Sequence, residues 1–245
     1  MTRKPKPSKP SKPSPKPTSH KLSNPFNPRD NLGPYIEHPE SFPPSTVLYH
    51  TPDFVAIHDR YPKSSLHLLL LPRDPTKTRL HPFDALEDVD FLHKVQQETA
   101  KLKKLAATEL RRMYGSVSAQ EQERQRAMVE ADPQDELPPG RDWEKEIMCG
   151  VHAHPSMNHL HIHVLAVDRF SPCLKHRKHY NSFSTPFFVD VADFPLAKDD
   201  VRRHPGREGY LKRDFKCWRC GRMFGKKFKE LKEHLKEEFL EWKKT

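Results

Sequence analysis

Seven residues, His159-Leu160-His161-Ile162-His163-Val164-Leu165, constrain this chain more than anything else in it. A β-strand sends successive side chains to opposite faces. In a strand, His159, His161 and His163 therefore share one face, and Leu160, Ile162 and Val164 share the other. A half-buried strand ordinarily places Thr, Ser, Lys or Glu on its polar side, where solvation is cheap. A row of imidazoles instead concentrates groups that act as nucleophile, acid or base near neutral pH. Taken alone, three such histidines also suit a metal.

The surrounding pattern supplies a sheet for this strand. Val47 to Tyr49 and Phe54 to Ile57 are β-rich runs separated by the turn Thr51-Pro52-Asp53. Leu66 to Leu71 is apolar throughout and closed by Pro72, as expected of a strand covered on both faces. Glu146 to His152, Asn158 to Val167 and Phe187 to Val191 are further strand-like runs. From Asp84 to Tyr114 the period changes: Leu86, Val89, Leu92, Val95, Leu102, Leu105 and Met113 fall at helical spacing, with Asp84 placed as N-cap and Glu87 three residues on. The expected class is α+β, an antiparallel sheet with one long helix. Residues 115–141 are polar and rich in turn formers, and are expected to be an insertion or mobile loop.

Two separated stretches resemble the histidine-triad family. One is the alternating histidine run, ending in two apolar residues. The other is His58-Asp59-Arg60-Tyr61-Pro62-Lys63-Ser64-Ser65-Leu66-His67, followed by Leu68 to Leu71 and Pro72, which looks like that family's nucleotide-pocket strand pair. Within the family the likeness is to the aprataxin group, carried by Gly150-Val151-His152-Ala153-His154-Pro155-Ser156-Met157-Asn158 ahead of the triad and by Ser171 to Lys175 and His179 to Phe183 after it. It spans roughly residues 43–240. The resemblance implies a catalytic set of His161, His152, His163 and His159, with His161 as nucleophile. It implies nucleotide contacts from Asp59, Ser156, Met157 and Asn158, and DNA contacts from Lys63, Ser65, Arg169 and Lys175. The implied activity is removal of AMP from adenylated DNA 5′ ends through a covalent His-AMP intermediate. A phosphoanhydride is anionic and repels hydroxide, so a neutral imidazole is a suitable attacker. His67, beside the leucine run, reads equally well as a core histidine.

Toward the C-terminus, Cys217-Trp218-Arg219-Cys220 is followed by thirteen residues and then His234, the first three ligands of a finger; Phe215, Phe224, Phe228 and Leu231 are available as its core. Two thiolates and an imidazole select zinc, so one structural zinc ion is expected. No second histidine follows His234. Glu237, Glu238, Glu241 or water must complete the set, and Glu238, four residues on, shares the helical face of His234. A glutamate there also fits the fungal type of the resembled group.

Charge separates the chain into parts. Residues 1–29 hold eight Lys/Arg and no acid, residues 201–245 hold fifteen against seven, and residues 30–200 hold 20 against 26. Basic flanks on a mildly acidic middle suit a catalytic core held to a polyanion. The expected organisation is a disordered basic Lys/Pro/Ser tail over 1–30, a catalytic domain over 34–198 and a DNA-binding finger over 201–245. An appended finger implies that its removal weakens substrate capture and leaves the chemistry in place. Four cysteines without a disulfide framework fit a reducing compartment. No run approaches a membrane-spanning length. The expected partners are nicked or broken DNA with a 5′-adenylated end and AMP as product, with no membrane, the protein acting as a monomer in the nucleus.

Overall fold

The computed structural model describes residues 27–130 and 136–245. The tail expected to be disordered lies, through residue 26, outside the described residues, as does the stretch 131–135 of the polar insertion.

Six strands form one antiparallel sheet: β1 (Val47–His50), β2 (Phe54–His58), β3 (His67–Pro72), β4 (Ile147–His152), β5 (Ile162–Ala166) and β6 (Phe188–Asp190), in the order β1-β2-β3-β5-β4-β6. The apolar runs at β3 and β5 become inner strands because both of their faces are covered. His163 stands opposite Leu69 on one side and Gly150 on the other, and His67 opposite Leu165. That register puts His67, His152 and His163 on one face of three neighbouring strands. The other face carries Leu68, Leu70, Cys149, Val151, Ile162 and Val164. A short helix α1 (Gly33–Glu37) contributes Ile36 to the histidine side.

The periodic segment after residue 81 divides in two: a single turn, α2 (Pro82–Ala85), and the long helix α3 (Val89–Tyr114). Its cap is Asp88, whose carboxylate accepts from the Phe91 N–H at 3.1 Å, rather than Asp84 as expected from the spacing. Val95, Leu102 and Leu110 of α3 are fully buried with the apolar sheet face, each contributing about 1.5–3 kcal/mol.

The polar segment expected to be a loop carries a helix, α4 (Ala119–Val129). Its reason is tertiary. Glu121 accepts from Trp143 Nε1 at 2.9 Å and pairs with Arg111 at 2.9 Å, while the Ala119 N–H donates to the carbonyl of Lys244 at 2.8 Å. Helix α5 (Arg177–Ser184) lies between β5 and β6, and after β6 come α6 (Pro205–Glu208), a two-stranded sheet of β7 (Phe215–Lys216) and β8 (Met223–Gly225), and α7 (Phe228–Trp242). This C-terminal part shares the main core: Tyr210 and Trp242 are buried with the residues of α3 and the sheet. Arg141 lies between the rings of Trp143 at 4.4 Å and Trp242 at 4.8 Å and donates to the Trp242 carbonyl at 2.8 Å. Among the described residues no helix is long and apolar enough to cross a membrane.

Gly150 is the position where the sheet tolerates no side chain. A Cβ there would be driven into the Val189 carbonyl and the ring of Phe188 on β6. Gly150→Ala should therefore destabilise the fold by at least about 3 kcal/mol, the upper end of overpacking penalties. Urea denaturation of the purified variant measures this, and a loss under about 1 kcal/mol would mean that β6 yields easily.

Candidate active site and metal centre

Four imidazoles converge on the polar sheet face. The rings of His161 and His163 are 4.8 Å apart, those of His152 and His163 4.5 Å, and those of His67 and His163 5.2 Å. Phe183 closes them from behind, 4.6 Å from His152 and 5.1 Å from His163.

Hydrogen bonding decides which nitrogen each ring offers. A carbonyl can only accept, so the 2.8 Å contact of His161 Nδ1 with the His159 carbonyl is an Nδ1–H donor, leaving the Nε2 lone pair of the neutral ring free. A backbone N–H can only donate, so the 3.1 Å bond from Lys63 N makes His67 Nδ1 an acceptor and places the proton on His67 Nε2. Asp59 Oδ2 lies 3.4 Å from that same nitrogen, and the aligned bond is the one from Lys63. His67 Nε2–H then donates to His163 Nδ1 at 3.0 Å, which leaves the proton of His163 on Nε2. His152 Nε2 is buried without a partner, while the nearby Ser182 backbone favours a proton on the ring. His163 Nε2 is also buried and without a partner. The site therefore holds a nucleophilic nitrogen on His161 and an unspent donor on His163, with a nitrogen on His152 free to take or give a proton. Buried polar atoms without partners are unusual; here two belong to rings whose centres are 4.5 Å apart.

Burial lowers the proton affinity of His152, His161 and His163, and it pulls His67 down to about 4. The positive field of Lys63 acts in the same direction on His67, His152 and His163. Depressed folded-state values mean that the unfolded chain binds more protons in acid. Stability should be fully present above about pH 6.5 and fall as pH drops toward 4, with His67 alone accounting for about 3 kcal/mol across that window. Chemical denaturation at pH 7.5 and pH 5 tests this; equal stabilities would mean that the buried imidazoles are already protonated in the fold.

The remaining residues expected at the site divide sharply. His159 leaves the imidazole row, because the chain bends at Asn158 and His159 and β5 begins only at Ile162. Its ring packs against Gly33 of α1, and its carbonyl is what holds His161. Asp59 stays beside the cluster, one carboxylate oxygen accepting from the Tyr61 N–H at 2.7 Å. Met157 packs on the α1 side of the core. Asn158 is engaged with the N-terminal segment: its N–H donates to the Arg29 carbonyl at 2.9 Å and its amide to Asp30 at 3.0 Å, while the Ser156 carbonyl accepts from Arg29. Those donors are committed within the protein rather than turned to phosphates. Lys175 is exposed, and Lys63 lies at the cluster. Ser65 and Arg169, expected on a DNA-facing surface, both turn inward. The Ser65 hydroxyl donates to buried Asp168, and the Arg169 guanidinium donates to the carbonyls of Val167 and Phe183. Phe183 and His67 are the components that periodicity alone did not assign to the site. For His67 the only sequence signal was an imidazole amid leucines.

At the C-terminus, one ligand atom each from Cys217, Cys220, His234 and Glu238 lie within 4.8 Å of one another. His234 Nε2 is 3.1 Å from both Cys220 Sγ and Glu238 Oε1. Glu237 reaches only the other ring nitrogen of His234, 3.9 Å from Nδ1, with its side chain 80% exposed. Two thiolates, an imidazole and a carboxylate are a donor set that fits zinc. Arg219, paired with the second oxygen of Glu238 at 2.9 Å, balances part of the added negative charge. Glu238→Ala should lower zinc content and the melting temperature by on the order of 5 °C, with Glu237→Ala neutral and Glu238→His restoring both. Metal analysis beside thermal melts decides it; retention of zinc in Glu238→Ala with loss in Glu237→Ala would reverse the assignment.

Comparison with known proteins agrees with this geometry. Residues 41–170 match the HIT domain family, and residues 184–241 match the C2HE / C2H2 / C2HC zinc-binding finger family. An aprataxin-like protein of Schizosaccharomyces pombe is 36% identical over 219 residues, covering 87% of this chain and 82% of that protein. One of Saccharomyces cerevisiae is 34% identical over 215 residues, covering 84% and 93%. A crystal structure of the aprataxin ortholog Hnt3 in complex with DNA superposes with a TM-score of 0.70 at 35% identity, covering 88% of this chain and 96% of that one.

Proposed function

The chain belongs to the aprataxin-like proteins, a histidine-triad family with a zinc-binding finger, and we propose that it is the DNA 5′-adenylate hydrolase of that type. It acts on DNA as a HIT hydrolase. Its substrate is the 5′-adenylated end left by abortive ligation, and its products are AMP and a restored 5′-phosphate.

The observation that carries this reading is the pair of opposed tautomers: a free lone pair on His161 and an unspent N–H on His163, 4.8 Å apart ring to ring. In the first half, His161 Nε2 attacks the AMP phosphorus and a P–N bond forms. The bond from that phosphorus to the bridging oxygen breaks, and the DNA 5′-phosphate leaves with the electron pair. His163 Nε2–H donates to a non-bridging oxygen as charge builds, and the DNA 5′-phosphate leaves as its anion past His152. The His159 carbonyl steadies the positive charge that develops on His161. In the second half, water attacks the same phosphorus and gives its proton to the free Nε2 of His152, the P–N bond breaks, AMP leaves and His161 returns to its neutral form. Asp59 holds the ribose hydroxyls. Lys63 adds positive field beside the phosphates.

Cys217, Cys220, His234 and Glu238 hold one zinc ion whose role is to fold the finger; no chemistry passes through it. Lys229, Lys232 and Lys236, on or beside its exposed helix face, supply sequence-independent contacts to the DNA backbone. The protein works as a monomer on DNA, and its substrate places it in the nucleus.

The test is AMP release from a 5′-adenylated nicked duplex compared with diadenosine polyphosphate. The adenylated nick should give the higher kcat/KM by at least about 10²-fold. Equal or better turnover of the dinucleotide would point to a general nucleotide hydrolase.

A further inference from the structure

We propose that the finger takes part in positioning the catalytic histidines, acting through Arg169 as a positioning residue. This rests on the reading of His152 as the proton-handling group.

Arg169 is the one non-glycine residue with positive φ among the described residues, at 46°. Left-handed backbone costs an ordinary side chain on the order of 1–3 kcal/mol and persists only where the surroundings over-determine it. The surroundings here are specific. The guanidinium donates to the Val167 carbonyl at the end of β5, to Met148 Sδ on β4 at 2.9 Å and to the Phe183 carbonyl on α5 at 3.0 Å. Its carbon lies 5.3 Å from the centre of the Trp218 ring, a cation–π distance. Trp218 stands between the ligands Cys217 and Cys220, so the conformation of the metal knuckle sets where that ring lies.

Helix α5 connects this arrangement to the chemistry because its two faces have different partners. Tyr180 and neighbouring Leu174 are buried in the finger core with Phe215, Leu231 and Leu235. The Tyr180 hydroxyl donates to the Lys216 carbonyl at 2.8 Å and accepts from the Trp218 N–H at 3.0 Å. On the other face, the Phe183 ring lies 4.6 Å from His152, 5.1 Å from His163 and 5.5 Å from His67. The Phe183 ring packs on His152 while the carbonyl of the same residue is held by Arg169. One residue of α5 thus serves the proton-handling histidine through its ring and the finger-facing arginine through its carbonyl. If Trp218 no longer covers Arg169, this turn loses one of its restraints. The Phe183 ring then no longer holds His152 in a fixed orientation.

The experiment uses the full chain with Trp218→Ala, Trp218→Phe and Arg169→Lys, the last keeping the charge while removing the planar fork. Zinc content and melting temperature are recorded for each, and two readouts follow. Steady-state kinetics on the 5′-adenylated nicked duplex should show kcat lowered about tenfold or more in Trp218→Ala and Arg169→Lys, with KM within about twofold and with zinc retained. Trp218→Phe, which keeps a ring face, should recover most of kcat. Long-range ¹H–¹⁵N spectra of the imidazoles, taken without substrate, should show a single sharp set of His152 resonances in wild type and shifted or broadened ones in Trp218→Ala. A folded, zinc-loaded Trp218→Ala with wild-type kcat, a loss confined to KM, or an unmoved His152 spectrum would overturn the proposal. Should Arg169→Lys not fold, the two Trp218 variants carry the decision. The spectra report the coupling even if adenylated DNA is not the substrate, so the failure of one reading does not hide that of the other.

Discussion

His161→Ala should abolish turnover, lowering kcat by on the order of 10⁴-fold or more, the loss typical of removing a covalent nucleophile. The size follows from the arrangement of protons. His163 presents Nε2–H because His67 occupies its Nδ1, and His67 is set in turn by the Lys63 amide. His163 therefore cannot substitute as nucleophile without reversing that chain of bonds. His152 has a free Nε2 but is committed to the proton of the attacking water. Lys229, Lys232 and Lys236, assigned to the DNA backbone, lie on the finger, so affinity for an adenylated nick should stay within about threefold of wild type. Labelled AMP should be trapped on the wild-type protein after acid quench and not on the variant; appreciable turnover by His161→Ala would end the covalent mechanism.

Removal of residues 201–245 should cost the fold itself, not only substrate capture. The linear order of basic segments suggests an appendage, and the packing contradicts that. Tyr210 and Trp242 are 1% and 2% exposed in the same core as α3 and the sheet. Phe215, Leu231 and Leu235 cover Leu174 and Tyr180 of the preceding segment. The Ala119 N–H loses the Lys244 carbonyl, and Arg141 loses one of its two ring partners. Truncating one large buried aromatic costs about 3–5 kcal/mol, against a total stability of about 5–15 kcal/mol for a domain. Residues 27–200 alone should lack a cooperative thermal transition and expose apolar surface to a hydrophobic dye. A truncated chain that melts cooperatively and keeps wild-type kcat, with only KM and its salt dependence altered, would restore the simple division between capture and chemistry.

Much of the fold was legible because it rests on local periodicity. Alternation at Ile162 and Val164, the continuous apolar run before Pro72 and the helical spacing from Val89 to Leu110 each follow from which side chains must leave water. Boundaries were less legible where competing caps existed: Asp84 and Asp88 both precede apolar turns, and only Asp88 bonds a free N–H of α3. Helix α4 was hidden because its stability comes from Trp143, Arg111 and the distant Lys244 carbonyl rather than from an apolar stripe of its own.

What the sequence by itself determined is chemical identity and facing: imidazoles on one side of an inner strand, an apolar surface on the other, and two thiolates with an imidazole at the spacing of a finger. Only the tertiary structure decided how each group is used. His161 offers Nε2 because the His159 carbonyl takes Nδ1, and His163 offers a proton because His67, 96 residues earlier, occupies its other nitrogen. Arg169 and Ser65 turn inward because acceptors await them on β4, β5 and α5, although their charge and polarity suit a surface. A local pattern fixes which face a side chain takes, through burial. Its protonation state and its partner depend on groups brought together from distant parts of the chain, and these exist only once the chain has folded.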